Sequence, residues 1–188
     1  MLEVNFNPFP VLETPQLILR KPGPADAQGI FELRSNPEIM RFVPRPLAEN
    51  LDQAKAHLSL VIEKIENNTG INWVAKSKSG DFVGLMGLFR IEPENYRAEI
   101  GYMILPQFHG KGLMSEAVSA MVGYGFGTLK LHSIEAIIDP ENYASGRVLE
   151  KNGFVREAHI RENLLFNGAF LDTVIYSLLN PDDRNIYQ

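Results

Sequence analysis

Residues 105–118 read LPQFHGKGLMSEAV. An apolar run, read as a strand over 96–105, stops here. A turn carrying Gly110 and Gly112 follows, and a helical pattern read over 110–129 begins at once. A strand over 133–139 (SIEAIID) closes the unit. Strand, helix and strand in this order predict a right-handed parallel crossover. The glycine turn at its centre gathers free backbone N–H groups before a helix start, where the unpaired donors and the helix dipole favour an anion, often a phosphate.

Outward from that unit the periods are clear. Toward the N-terminus, strands are predicted over 82–91 and 71–78, joined at Ser79–Gly80–Asp81. Before them lies a helix over 50–68, in which Leu51, Ala54, Leu58, Val61, Ile62 and Ile65 follow the 3.6 period and Asn50 is the expected N-cap. A short strand is read at 16–21, a helix at 24–35 and a turn at 37–43. Toward the C-terminus come a helix over 142–152, stopped by Gly153, and two strands over 154–166 and 169–179. The last pair meets at Asn167–Gly168, a strong hairpin signal. The expected organisation is an arm (1–15), one mixed α/β domain (16–180) and a tail (181–188).

Composition narrows the chemistry. The chain has 188 residues, 45% of them hydrophobic, with no cysteine and a formal net charge of −5. No thiol nucleophile, disulfide or thiolate metal site is available. An acidic chain without a Lys/Arg block is a poor nucleic-acid binder, and its charge suits a cationic substrate such as an amine. No basic n-region or span of about 20 apolar residues is present, so a cytoplasmic protein with no membrane partner is expected. The four histidines show no metal-ligand spacing, and no metal is expected. His57 reads as structural and Trp73 as core.

The glycine turn fits neither common phosphate fingerprint. A P-loop needs G-x-x-x-x-G-K-[ST], but Lys111 precedes Gly112. A dinucleotide fingerprint needs a third glycine where Ser115 stands. What remains is Q-x-x-G-x-G, from Gln107 through His109, Gly110, Lys111 and Gly112.

That motif is followed by Asn142-x-x-Ser145 and by Glu150-Lys151-x-Gly153-Phe154. Together they resemble the GNAT acetyltransferase superfamily. L-E-T-P-x-L-x-L-R at 12–20, A-E-I-G-Y at 98–102 and N-G-x-x-x-D-x-x-x-Y-S-L-L at 167–179 are similar to its RimJ/RimL branch. The resemblance implies a mostly antiparallel sheet with a central splayed parallel pair and helices on both faces. It implies acetyl-CoA as donor and a primary amine as acceptor. A protein or peptide N-terminus, ribosomal or other, comes first. A small-molecule amine (antibiotic or polyamine) and a non-catalytic acyl-CoA-binding module are the alternatives, and a monomer or homodimer is expected.

The same resemblance assigns roles. The donor would be held by Met103, Ile104 and Leu105 on the splayed strand, where a bulge would free backbone N–H groups. Gln107, His109, Gly110, Lys111, Gly112, Leu113 and Met114 would hold it at the turn, and Asn142 at the next helix. Glu99 is the expected base, acting through water. Ser145 is the expected donor to the leaving sulfur, with Tyr143 as the alternative. Two departures from the family pattern are Phe108-His109 in the turn and the acids of Asp139-Pro140-Glu141 before Asn142.

Overall fold

The computed structural model describes residues 1–182. Most of the expected tail, 183–188, lies outside the described residues. The strands are β1 (Leu12–Glu13), β2 (Leu17–Arg20), β3 (Ile71–Ser77), β4 (Phe82–Glu92), β5 (Arg97–Ile104), β6 (Ser133–Ile138), β7 (Val155–Phe166) and β8 (Ala169–Leu179). The helices are α1 (Ala27–Ser35), α2 (Pro37–Met40), α3 (Leu51–Glu66), α4 (Leu113–Gly127) and α5 (Tyr143–Lys151). The strands form one sheet in the order β1-β2-β3-β4-β5-β6-β8-β7. Among the described residues only β5 and β6 run parallel; the other pairs are antiparallel.

Period-two alternation divides the core into two layers. On one face Trp73 meets Tyr124 of α4 edge-on, ring centroids 5.4 Å apart. On the other, Val74 and Leu85 pack with Leu33 of α1, while α1 and α3 share Ala27, Ile30, Ala54 and Leu58. The N-terminal arm runs over the main core: Leu2 and Phe6 are buried in it, and the Trp73 Nε1–H donates to the Pro10 carbonyl at 2.8 Å.

The local signals hold where they are chemical. Asn50 Oδ1 caps α3 by accepting from the Gln53 N–H at 3.0 Å, and Asn142 Oδ1 caps α5 by accepting from Ser145 N–H at 3.1 Å. Asn167 and Gly168 both take positive φ, as a primed hairpin turn requires.

The start of α4 differs from the reading. Helix was expected from residue 110, but α4 begins at Leu113. Gly110 and Gly112 have φ of +73° and +75°, outside the right-handed helical region, so the turn is three residues longer. Among the described residues no helix is long and apolar enough to cross a membrane.

Candidate active site

Alternation along β5 sets the site. Ala98 and Ile100 bury into the α4-side core, which turns Glu99 to the opposite face. There Glu99 is 7% exposed and accepts from Arg90 Nη1 at 2.7 Å. Burial pushes its carboxyl above the ordinary range; Arg90 pulls it back in part, and neighbouring Glu135 adds to the rise. A carboxylate held this way is a better proton acceptor than a solvated one.

The two parallel strands pair only from Arg97↔Ser133 to Glu99↔Glu135 and then separate. A cleft of about 280 Å³ occupies the gap. Glu99, Phe89 and His57 line it on the α3 side, and Tyr102, Asn142 and Ser145 on the α5 side. It thus connects two faces of the sheet. Tyr102 O–H donates to the Ser145 carbonyl at 3.4 Å, and burial raises its phenol well above the ordinary value. Gly101 permits the Phe89 ring to lie against the strand: a Cβ there would stand 2.8 Å from the ring.

No bulge opens this edge. Register with β4 is regular from Gly84↔Ile104 to Phe89↔Glu99, and its break falls between Phe89 and Glu92. Leu105 N–H is taken by the Val83 carbonyl at 3.0 Å, so it is not a free donor as expected. Residues two apart share a hydrogen-bonding side. Met103 N–H therefore also turns toward β4, and the groups of Tyr102 and Ile104 turn toward the gap. Divergence of the strands, not an extra residue, leaves these without a β6 partner. Met103 lines the cleft.

At the turn, Gln107, His109, Gly110, Lys111 and Gly112 are exposed. His109 Nε2 lies 3.3 Å from the Ile104 carbonyl, which ties the turn to the gap mouth. The Lys111 ammonium stands 5.5 Å from the Phe108 ring centroid. No atom lies within 4 Å of where a Cβ would stand on Gly110 or Gly112. Leu113 and Met114 bury their side chains in the core, so only their main chain is available to a ligand. The first helical bond is Glu116 N–H to Gly112 carbonyl, at 3.1 Å; the amides of Leu113, Met114 and Ser115 precede it.

Of the two candidates on α5, Ser145 lines the cleft, while Tyr143 is 71% exposed and outside its lining. Asn142 is both cap and cleft wall. The acids before it are engaged locally: Asp139 Oδ1 accepts from Glu141 N–H at 2.7 Å, and Glu141 meets Arg41 at 3.5 Å.

His57, expected only to pack, also lines the cleft. Burial first, then Arg34, Arg45 and Lys64, lower its pKa from 6.5 to about 4. Its position was readable: residue 57 falls on the stripe of Ala54, Leu58 and Val61 at helical spacing. Arg90, at φ +48°, carried no such signal.

The lowered value has a stability consequence. The unfolded imidazole takes a proton that the folded one refuses, so stability present above pH 6.5 is lost as pH falls toward 4. Replacing His57 by Gln is expected to flatten this part of the curve. Thermal melts of both proteins between pH 4 and 7 check it; equal slopes would refute it.

Comparison with known proteins adds independent findings. The family model described as "Acetyltransferase (GNAT) domain" matches residues 16–155. The uncharacterized N-acetyltransferase YoaA of Bacillus subtilis (strain 168) is 36% identical over 174 residues, covering 92% of this chain and 98% of its own. Spermidine N-acetyltransferase from Vibrio cholerae, solved with CoA and spermine, superposes with a TM-score of 0.79 at 28% identity, covering 89% and 97%. Ribosomal-protein-S5-alanine acetyltransferase from Vibrio fischeri gives 0.80 at 25% identity, covering 92% and 98%.

Proposed function

Because this chain belongs to the GNAT acetyltransferase family, we propose that it transfers the acetyl group of acetyl-CoA to the α-amine of a peptide or protein. One observation carries this reading: a single cleft through the sheet joins Glu99 on one side to Ser145 and Asn142 on the other. An amine arriving from the α3 side and a thioester arriving from the α5 side meet between β5 and β6.

The turn suits the donor's diphosphate. Two left-handed glycines leave open space where side chains would stand, and the unpaired amides at the start of α4 point out of a helix N-terminus. The pantetheine arm then lies in the gap, against the main-chain groups of Tyr102 and Ile104. An N–H on that edge donates to the thioester oxygen and stabilises the charge that develops there.

In the transfer step the amine nitrogen attacks the thioester carbon and the C–S bond breaks. The amine proton passes to Glu99, directly or through water, and Ser145 donates a hydrogen bond to the departing sulfur. At pH 7 about a tenth of an α-amine, with pKa ~7.7–8.0, is already neutral, against a few in ten thousand of a lysine-type amine near ~10.4. One base of modestly raised pKa suits the first far better. A polyamine carries several positive charges, and among the described residues Glu99 is the only carboxylate lining the cleft.

Release of free thiol by the purified protein, measured against peptides, spermidine and aminoglycosides, tests the assignment. Peptides with a free N-terminus are expected to be acetylated; turnover of spermidine alone would overturn the acceptor, and turnover of none the function. Ser145→Ala is expected to slow the transfer by on the order of tenfold with the fold intact. An unchanged rate would remove Ser145 from the step.

A further inference from the structure

The cleft carries a charge opposite to that of the chain. The protein's formal net charge is −5, yet Arg34, Arg45 and Lys64 line the cleft against one carboxylate, Glu99, which Arg90 already pairs and on which Arg45 also acts. Among the described residues, Arg34, Arg45 and Lys64 form no ion pair.

Local structure holds these cations together. The loop after α2 folds back onto α1: Ala48 N–H donates to the Arg34 carbonyl at 2.9 Å, and Arg34 Nη2 to the Pro46 carbonyl at 3.3 Å. That fastening keeps Arg45 beside Arg34, whose own pKa is lowered by burial and then by Arg45. On α3, His57 and Lys64 are seven residues apart and share a face. Neutral His57 sits amid the three cations with one N–H to donate. Like charges gathered on one wall repel each other, and an incoming anion relieves that repulsion.

We propose that Arg34, Arg45, His57 and Lys64 form an anion subsite, and that the preferred acceptor carries a carboxylate close to its amine. This deepens the acetyltransferase reading and rests on it for the identity of the amine. An acidic N-terminal segment supplies such a group. Arg45 also borders an adjoining trench of about 310 Å³ that runs to Leu164 and Phe166 of the β7–β8 hairpin, a path for the rest of a peptide. Of its other charged residues, Arg41 pairs with Glu141, Asp172 with His159, and Asp139 accepts from the Glu141 N–H.

The test measures binding without chemistry. Peptides beginning Ser-Glu-Glu, Ser-Ala-Ala and Ser-Lys-Lys are titrated into CoA-saturated protein at low and high salt. The acidic peptide is expected to bind about tenfold more tightly than the neutral one, with the advantage shrinking as salt rises. Arg45→Glu, at an exposed position, is expected to abolish that advantage, and Arg34→Gln to reduce it. Equal binding of the three peptides, or an unchanged preference in Arg45→Glu, would overturn the subsite. Competition by free glutamate at concentrations similar to the peptide's would assign the carboxylate to a small amino acid. Acetyl transfer on the same peptides separates the two claims. Tight acidic binding without turnover sinks the enzymatic reading alone; turnover without acidic preference sinks the subsite alone.

Discussion

Glu99→Gln is expected to lower kcat by on the order of 10²–10⁴-fold while KM for acetyl-CoA stays near that of the parent. The amide keeps the size and hydrogen-bonding reach of the side chain but accepts no proton. The buried carboxyl titrates above 4.5, so the acid limb of the parent's kcat/KM profile should lie above that value and vanish in the variant. Stability should move the other way. Glu99 has a raised folded pKa, so its contribution to folding is full below 4.5 and is lost as pH rises through the folded value. At pH 8 the amide variant is therefore expected to melt no lower than the parent. The Arg90 partner is 67% exposed, so losing that ion pair costs little. Equal losses in kcat and in donor affinity would instead mark Glu99 as a structural support of the cleft.

Gly112→Val, and in parallel Gly110→Val, should produce the opposite pattern. Both positions hold positive φ, where a β-branched side chain costs roughly 1–2 kcal/mol or more. No neighbouring atom lies within 4 Å of the added Cβ, so the core is not disturbed and the melting temperature should fall only modestly. The new side chains occupy the space in front of the free amides. Each charge-assisted hydrogen bond lost there is worth about 1.5–3 kcal/mol, so KM for acetyl-CoA should rise on the order of 10- to 100-fold for one bond lost. The acceptor's KM should not move. Unchanged donor affinity would place the diphosphate elsewhere.

These variants divide the site as the sheet divides it, and that division was partly legible in the sequence. Capping and turn chemistry are local, so Asn50, Asn142, Gly153 and Asn167–Gly168 announced the ends of their elements correctly. The A-E-I-G-Y resemblance singled out Glu99, and alternation on β5 turns it away from Ile100 toward the cleft. Asn142 and Ser145 came together on the cleft wall because one cap positions both.

What was misread is non-local or depends on dihedral angles. The glycines of 110–112 were assigned to the helix, although their left-handed conformation delays it. The free edge of β5 was attributed to a bulge, although it arises where β6 diverges beyond Glu135. His57 lay on the right stripe of α3, but a histidine on an apolar face reads as packing until the facing wall is known. The cation wall draws on α1, a loop and α3, and no spacing rule connects residues 34, 45 and 64.

The turn at 109–115 is proposed to hold the donor's diphosphate and to direct the thioester into the gap between β5 and β6. A crystal structure with CoA tests it most directly. Diphosphate oxygens are expected about 2.7–3.2 Å from main-chain amides between Gly110 and Ser115, with the thiol in the cleft between Glu99 and Ser145. CoA bound away from the turn, or a thiol outside that cleft, would contradict it.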